Sequence, residues 1–271
     1  MFAVADMDKN DETIEVIASE FFDRKVTLHS IKRGSKPEIV FRRTLDENCG
    51  SAFGVILADL DSTTSNRYVV DSGSTVDTLQ RGDTFSHVLA TSHECNSVTD
   101  GETGLKTKST VGADDENAIQ GGSLFAYRVP EGKDAWKTEP WLRTTVASGF
   151  RVQGQLGNMI NPGAPGFAYT FHPKREKEGS RPLIAVAGDC SESAYIFRPV
   201  DSSEQEPHPD QSAQYKLMCE IACGATVGSI GIGYQDFMDA DQEAGYAKLY
   251  LPCYEKDKVL VFAMGSGSGS E

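Results

Sequence analysis

Residues 181–200 read RPLIAVAGDCSESAYIFRPV: an apolar run, a small polar loop, and a second apolar run ending in Pro199. Short apolar runs bounded by turn residues are strand signals. The unit recurs along the chain. Residues 6–30, DMDKNDETIEVIASEFFDRKVTLHS, align without a gap on residues 239–263, DADQEAGYAKLYLPCYEKDKVLVFA, placing Asp6 on Asp239, Asp8 on Asp241, Asn10 on Glu243, Glu15 on Lys248 and Val26 on Val259. Residues 181–200 join the same frame with Ala187 over Ala18 and Phe197 over Leu28. A further copy, SHVLATSHE from Ser86, resumes after a long polar insertion as GGSLFAYRVP.

Most copies carry more strands than the central pair. PEIVFRRTL, WLRTTVASG and YKLMCEIACG supply an outer strand, and FAVADMD, FGVILADLD, GFAYTFH and VGSIGIGYQDF supply an inner one. Four short strands at a recurring period, without helical periodicity between them, predict an all-β fold: a β-propeller with four or five blades of antiparallel strands. A sandwich predicts no such self-similarity. The last copy lacks its outer strand, the stretch from Asp61 to Asp83 has room for further strands, and pairing of the first strand with the last blade would close the ring. We expect one propeller domain over residues 1–264, followed at 265–271 by an engineered flexible linker of GSGSGSE composition.

The 271 residues carry a formal charge of −14. A chain so acidic lacks the cations that release counterions from a phosphate backbone, which excludes nucleic acid and anionic lipid as expected partners. No apolar run approaches the roughly 18 residues of a membrane span. Six cysteines in a chain of this size point to reduced thiols, and no secretory signal is visible, so the expected compartment is the cytoplasm. The partner expected is a small molecule, and the protein itself a monomer or homodimer.

The DxDxN and DxD segments before apolar runs resemble the FG-GAP or VCBS type of propeller repeat. In that family the DxDxDG loop between two strands binds Ca²⁺, so the resemblance implies a divalent metal (Ca²⁺, Mg²⁺ or Zn²⁺) at Asp6, Asp8, Asn10 and Glu15; Lys248 removes the equivalent site in the last copy. Alternating Asp residues supply the oxygens a hard cation needs. More narrowly, TSHE, GSLFAYRVP, NPGAPGFAYTFHP, RPLIAVAGDCSESAYIFRP and LYLPCYEKDKVLVF resemble the propeller of fungal aldos-2-ulose dehydratase and related stand-alone fungal propeller proteins. That resemblance covers most of residues 85–264 and is more specific for fold than for reaction.

Loops after the second strand of each copy would gather at one mouth of a propeller, bringing together Glu20, Ser92 to Glu94, Asp189 with Cys190, and Cys253 to Glu255. His93 followed by Glu94 is the sharpest candidate for chemistry, because imidazole titrates near neutral pH and a carboxylate can relay its proton. Asp189 and His172 complete the expected catalytic set, with Glu20, Ser92 and Tyr254 as substrate contacts. His87, inside an apolar strand, reads as a structural histidine, and Trp136 and Trp141 as blade packing. The resemblance implies a lyase that eliminates water from a sugar-derived or fungal secondary-metabolite substrate, with a variant in which a quinone methide is formed and guided through a hetero-Diels–Alder cyclisation. A lectin-like carbohydrate-binding module and a protein-interaction scaffold are the alternatives. Lectin sites repeat blade by blade, whereas the equivalent loop residues here differ.

Overall fold

The computed structural model describes residues 1–8, 12–61, 68–70, 84–93, 121–150, 152–153, 163–174, 180–201, 203–204, 207–234 and 245–265. In chain order the elements are β1 (Phe2–Asp6), β2 (Thr13–Glu20), β3 (Lys25–Lys32), β4 (Glu38–Asp46), β5 (Ala52–Ala58), β6 (Tyr68–Val70), β7 (Thr84–Phe85), β8 (His87–Ser92), β9 (Gly122–Arg128), the one-turn helix α1 (Ala135–Thr138), β10 (Leu142–Phe150), β11 (Ala168–Phe171), β12 (Leu183–Ala187), β13 (Ser193–Pro199), β14 (Tyr215–Ala222), β15 (Gly231–Tyr234), β16 (Ala247–Cys253) and β17 (Lys258–Ala263). They form four antiparallel sheets, ordered β4-β3-β2-β1-β6-β7, β10-β9-β8-β5, β11-β12-β13-β14 and β15-β16-β17. No described helix is long and apolar enough to cross a membrane.

The repeat is visible in the ladders. Glu20 pairs with Lys25 in the first sheet and Cys253 with Lys258 in the fourth, which is the gapless alignment of residues 6–30 on 239–263. In the third sheet Ala187 pairs with Ala194, where the first sheet pairs Ser19 with Val26. Ala187 therefore corresponds to Ser19 and not to Ala18, a one-residue correction to the sequence alignment that exchanges the two faces of the strand. The residue before the third strand of three sheets lies in the left-handed region: Arg24 at φ 58°, Glu192 at 57° and Asp257 at 46°. A tight two-strand turn imposes that conformation at one fixed place, whatever the side chain.

Three cores alternate with the four sheets. Ile17, Leu28, Val88, Tyr127 and Trp136 fill the space between the first and second; Leu89, Ala126, Ile184, Val186 and Phe197 that between the second and third; Ala185, Ala187, Ile196, Leu249 and Leu251 that between the third and fourth. β8 and β12 are buried along their whole length because their sheets are covered on both faces, while β2 and β16 alternate because theirs are covered on one. Trp136 and Trp141 are core residues, as expected.

β1 contradicts one expectation. It lies between β2 and β6 in the first sheet, and among the described residues it pairs with no strand of the last sheet. β6, with its partner β7, is the additional strand for which the stretch 61–83 had room. Among the described residues the last sheet has three strands. Residues 266–271 of the expected linker lie outside the described residues.

Candidate functional site

The connections after β2, β8 and β12 meet at His93, while the turn after β16 is bonded to Thr226, next to the Val227 that holds Asp189. The His93 ring stacks on Phe53 with centroids 4.2 Å apart and planes at 20°, and Phe21, following β2, meets it edge-on at 5.5 Å. Phe53 in turn stacks on Phe167, 4.8 Å away. Below the ring lies Gly163: a Cβ there would fall 1.9 Å from His93 Nδ1. Glycine is required by contact here rather than by turn geometry, and a second close approach, of Gly122 to the Ala164 carbonyl, lets the same segment lie flat on the end of the second sheet. The segment is held by Cys190 N donating to Gly163 O at 3.0 Å and Gly166 N to Ala187 O at 2.7 Å.

Asp189 faces the remaining side of the imidazole, with Oδ2 3.5 Å from Nε2. Its backbone sits at φ 51° and is clamped to Val227 by two hydrogen bonds, Asp189 N to Val227 O at 2.8 Å and the return at 3.3 Å. The side chain is therefore aimed by backbone bonds. The 3.5 Å approach lacks hydrogen-bond direction, so both ring nitrogens of His93 are buried without a hydrogen-bond partner. Beyond Asp189, Glu255 accepts from Thr226 N at 2.7 Å and Thr226 Oγ1 at 2.5 Å, which ties the β16–β17 turn to the residues after β14.

Environment moves the two groups in opposite directions. Burial lowers His93 to about 4. Burial raises the Asp189 carboxyl; the Cys190 thiol beside it offsets part of the rise and the charge of Glu255 adds to it. Each group is thus shifted toward its uncharged form, imidazole and carboxylic acid, which is how one small site holds a base and an acid together.

The other expected site residues fall elsewhere. His172 follows β11 at the Leu183 end of the third sheet, about 20 Å along the strand from Asp189, where its backbone N–H donates to Tyr234 Oη at 3.1 Å and its ring meets Ser180 Oγ at 3.3 Å. It does not join His93, because β11 runs antiparallel to β12 and so delivers its last residue to the opposite end of the sheet from Asp189. Glu20 turns to the other face of its sheet, accepting from Thr27 Oγ1 at 2.8 Å and Arg42 at 3.3 Å. Ser92 is fully buried between Ala52 and Ser123. Tyr254 is exposed on the turn beside Glu255. Glu94 lies outside the described residues.

Asp6, Asp8 and Glu15 do form a cluster, with ligand atoms within 4.8 Å of one another. Glu15 is fully buried; Oε2 accepts from Met7 N at 2.8 Å, while Oε1 has no hydrogen-bond partner. Burial and the charges of Asp8 and Asp6 raise its pKa. This set suits a hard divalent cation in its chemistry, although three carboxylates leave an oxygen shell to be completed; Asn10 lies outside the described residues. The cluster sits at the β1–β2 turn, whereas Phe21 and His93 lie at the far end of β2. A cation held by these three carboxylates would sit at the opposite end of β2 from the imidazole.

A second histidine cluster occupies the other end of β8. His87 and Asp210 are both fully buried, with Nε2 2.9 Å from Oδ2. Ser86 Oγ lies 2.8 Å from His87 Nδ1, Ser212 donates to Asp210, and Arg128 reaches Asp210 at 3.3 Å and Asp61 at 3.0 Å. Burial works against the Asp210 carboxylate, but His87, Ser212 and Arg128 outweigh it and hold the pKa far below the usual range. Every polar group here is satisfied, and the cluster joins the second sheet to the β13–β14 connection.

No protein-family model and no curated protein matches the chain.

Proposed function

We propose that the four sheets are the blades of a propeller and that its mouth carries a lyase-type site, in which His93 is the base and Asp189 the acid of a dehydration. The observation that carries this reading is the pair itself: a buried imidazole with a lowered pKa and a carboxyl with a raised one, 3.5 Å apart and each held by its own neighbours. In a β-hydroxy carbonyl substrate, His93 Nε2 takes the proton next to the carbonyl. The C–O bond to the hydroxyl breaks as Asp189 protonates it, water leaves and the double bond forms. Transfer of the proton from imidazolium back to carboxylate across the same gap resets both groups. Because Gly163 closes the Nδ1 side, substrate reaches Nε2 by displacing the Asp189 side chain, the more exposed of the two. The aromatic wall of Phe53, Phe21 and Phe167 keeps the imidazole dry and its pKa low. Asp6, Asp8 and Glu15 would bind a Ca²⁺-like cation in a supporting role, remote from this step.

The test is incubation with a panel of hydroxylated ketones and keto-sugars in D₂O, followed by mass and proton spectra for loss of water and deuterium uptake. His93→Gln and Asp189→Asn should each lower the rate about 10²-fold or more while the proteins stay folded. Turnover by His93→Gln equal to that of the parent would remove the imidazole from the mechanism.

A further inference from the structure

Cys223 and Cys253 are both buried in the core between the third and fourth sheets, and both are free thiols. Cys223 directly follows β14, and Cys253 is the last residue of β16. Their side chains meet: Cys253 is the hydrogen-bonding neighbour of the Cys223 thiol. We propose that this pair is a modification site, at which a low-molecular-weight disulfide of the glutathione class oxidises the two thiols to a covalent bond between the third and fourth sheets.

Backbone bonds on both sides hold the two cysteines in place. Cys223 N and Gly224 N both donate to Glu192 O, at 2.9 and 3.0 Å, which ties residues 223–227 to the β12–β13 turn. Tyr254 N donates to Thr226 O at 3.1 Å and Lys256 Nζ to Cys223 O at 3.0 Å, which ties the same segment to the β16–β17 turn. Side chains that already touch across a fixed backbone have the reach a disulfide needs. The other described cysteines stand apart: Cys49 in the core between the first and second sheets, Cys190 fully buried beside Asp189, and Cys219 exposed on β14.

The surroundings also set which sulfur reacts first. Burial pushes the Cys223 thiol up to about 11 and Cys253 adds to the rise, while the charge of Lys256 and the Ala194 N–H favour its thiolate. A buried thiol of this kind is guarded against brief contact with oxidant. The turn that follows Cys253 is exposed from Tyr254 to Asp257, so exchange proceeds when that turn opens. The Cys223 thiolate attacks one sulfur of the small disulfide, whose S–S bond breaks to release one thiolate. Cys253, as thiolate, then attacks the Cys223 sulfur of the mixed disulfide and displaces the second. Two protein thiols are oxidised, the small disulfide is reduced to two thiols, and the protons lost by the cysteines are taken up by the released thiolates.

The bond would close a loop of about 30 residues and remove much of its freedom in the unfolded chain. It also acts close by. Segment 223–227 carries Val227, whose two backbone bonds clamp Asp189, so the crosslink stiffens the support of Asp189 whatever reaction takes place there.

The test equilibrates the whole protein, from both the reduced and the oxidised side, in glutathione buffers of increasing disulfide content. Free thiols are trapped with iodoacetamide and the peptides are mapped by mass spectrometry without reduction. A Cys223–Cys253 linkage should accumulate as the buffer becomes oxidising and vanish with dithiothreitol. The oxidised protein should melt about 5 °C or more above the reduced one. Its Asp189 and Val227 amides should exchange with solvent about tenfold more slowly. The parent kept reduced, and Cys253→Ala treated alike, should show neither change. Absence of the linkage in the most oxidising buffer, linkages among other cysteines only, or a Cys223–Cys253 linkage that leaves melting and exchange unmoved would each overturn the proposal.

Discussion

β8 begins at His87 and is followed at its far end by His93, so one short strand holds two buried imidazoles in opposite circumstances. His87 has a partner at each ring nitrogen and lies in a net of two serines, two aspartates and an arginine. His93 has aromatic rings on two sides, a glycine below, a carboxyl that comes close without bonding, and no partner for either nitrogen. Burial alone therefore says little about what a histidine does. A satisfied buried network fixes structure, whereas an unsatisfied one stores a cost that a protein keeps only where something else is gained.

The contrast can be broken by mutation at either end. The largest effect is expected at the satisfied end: Asp210→Ala strands His87 and Arg128 without their carboxylate and should cost about 3–5 kcal/mol in chemical denaturation. A cost below about 1 kcal/mol would mean that the network does not hold the β13–β14 connection.

Acid should separate the two ends by pH. His93 is lowered from 6.5 to about 4 on folding, so between those values the unfolded chain binds more protons. Stability is then full above about 6.5 and falls as pH drops, by up to about 3 kcal/mol. Asp210 is lowered from 3.8, so its contribution is present above 3.8 and is lost only on further acidification. Asp189, raised above 3.8, acts with the opposite sign: its contribution is present at low pH and lost as pH rises through its folded pKa. His93→Phe should flatten the upper window and leave the lower one. An unchanged slope between pH 4 and 6.5 would show that the imidazole is not held neutral.

The smallest effect is the most local. Gly163→Ala drives a methyl into the imidazole and should cost about 1–3 kcal/mol, measured by thermal melting. In the His93→Ala background most of that cost should vanish. Additivity within about 0.5 kcal/mol would mean that glycine is needed there for another reason.

The sheets were legible in the sequence because strand periodicity is local. TIEVIASE alternates and folds as a half-buried β2, while LIAVA is apolar throughout and folds as a β12 covered on both faces. The one-residue misalignment of the third copy shows the limit, since similar residues on neighbouring positions of an apolar strand do not reveal which face they take. His93 and Asp189 could be placed together from equivalent loop positions. Their housing could not, because Phe21, Phe53, Gly163 and Phe167 come from separate segments and carry no shared spacing. The same reason hides Asp210 from His87, 123 residues apart in sequence. His172 was misplaced because a residue after an inner strand and one after a second strand emerge at opposite ends of a sheet.

The connections of the second sheet have a kinetic consequence. In the third sheet the step from β12 to β13 spans only residues 188–192, whereas β8 and β9 are separated by residues 93–121. A loop roughly six times longer adds about 1.6 kcal/mol of closure entropy to the search for a partner strand. The third sheet is thus suited to nucleate folding, and the second to complete last. Since His93 is delivered by the second sheet and Asp189 by the third, the proposed site is assembled only at the end of folding, and the approach of His93 to Asp189 should lag the burial of Tyr195 and Phe197 during refolding.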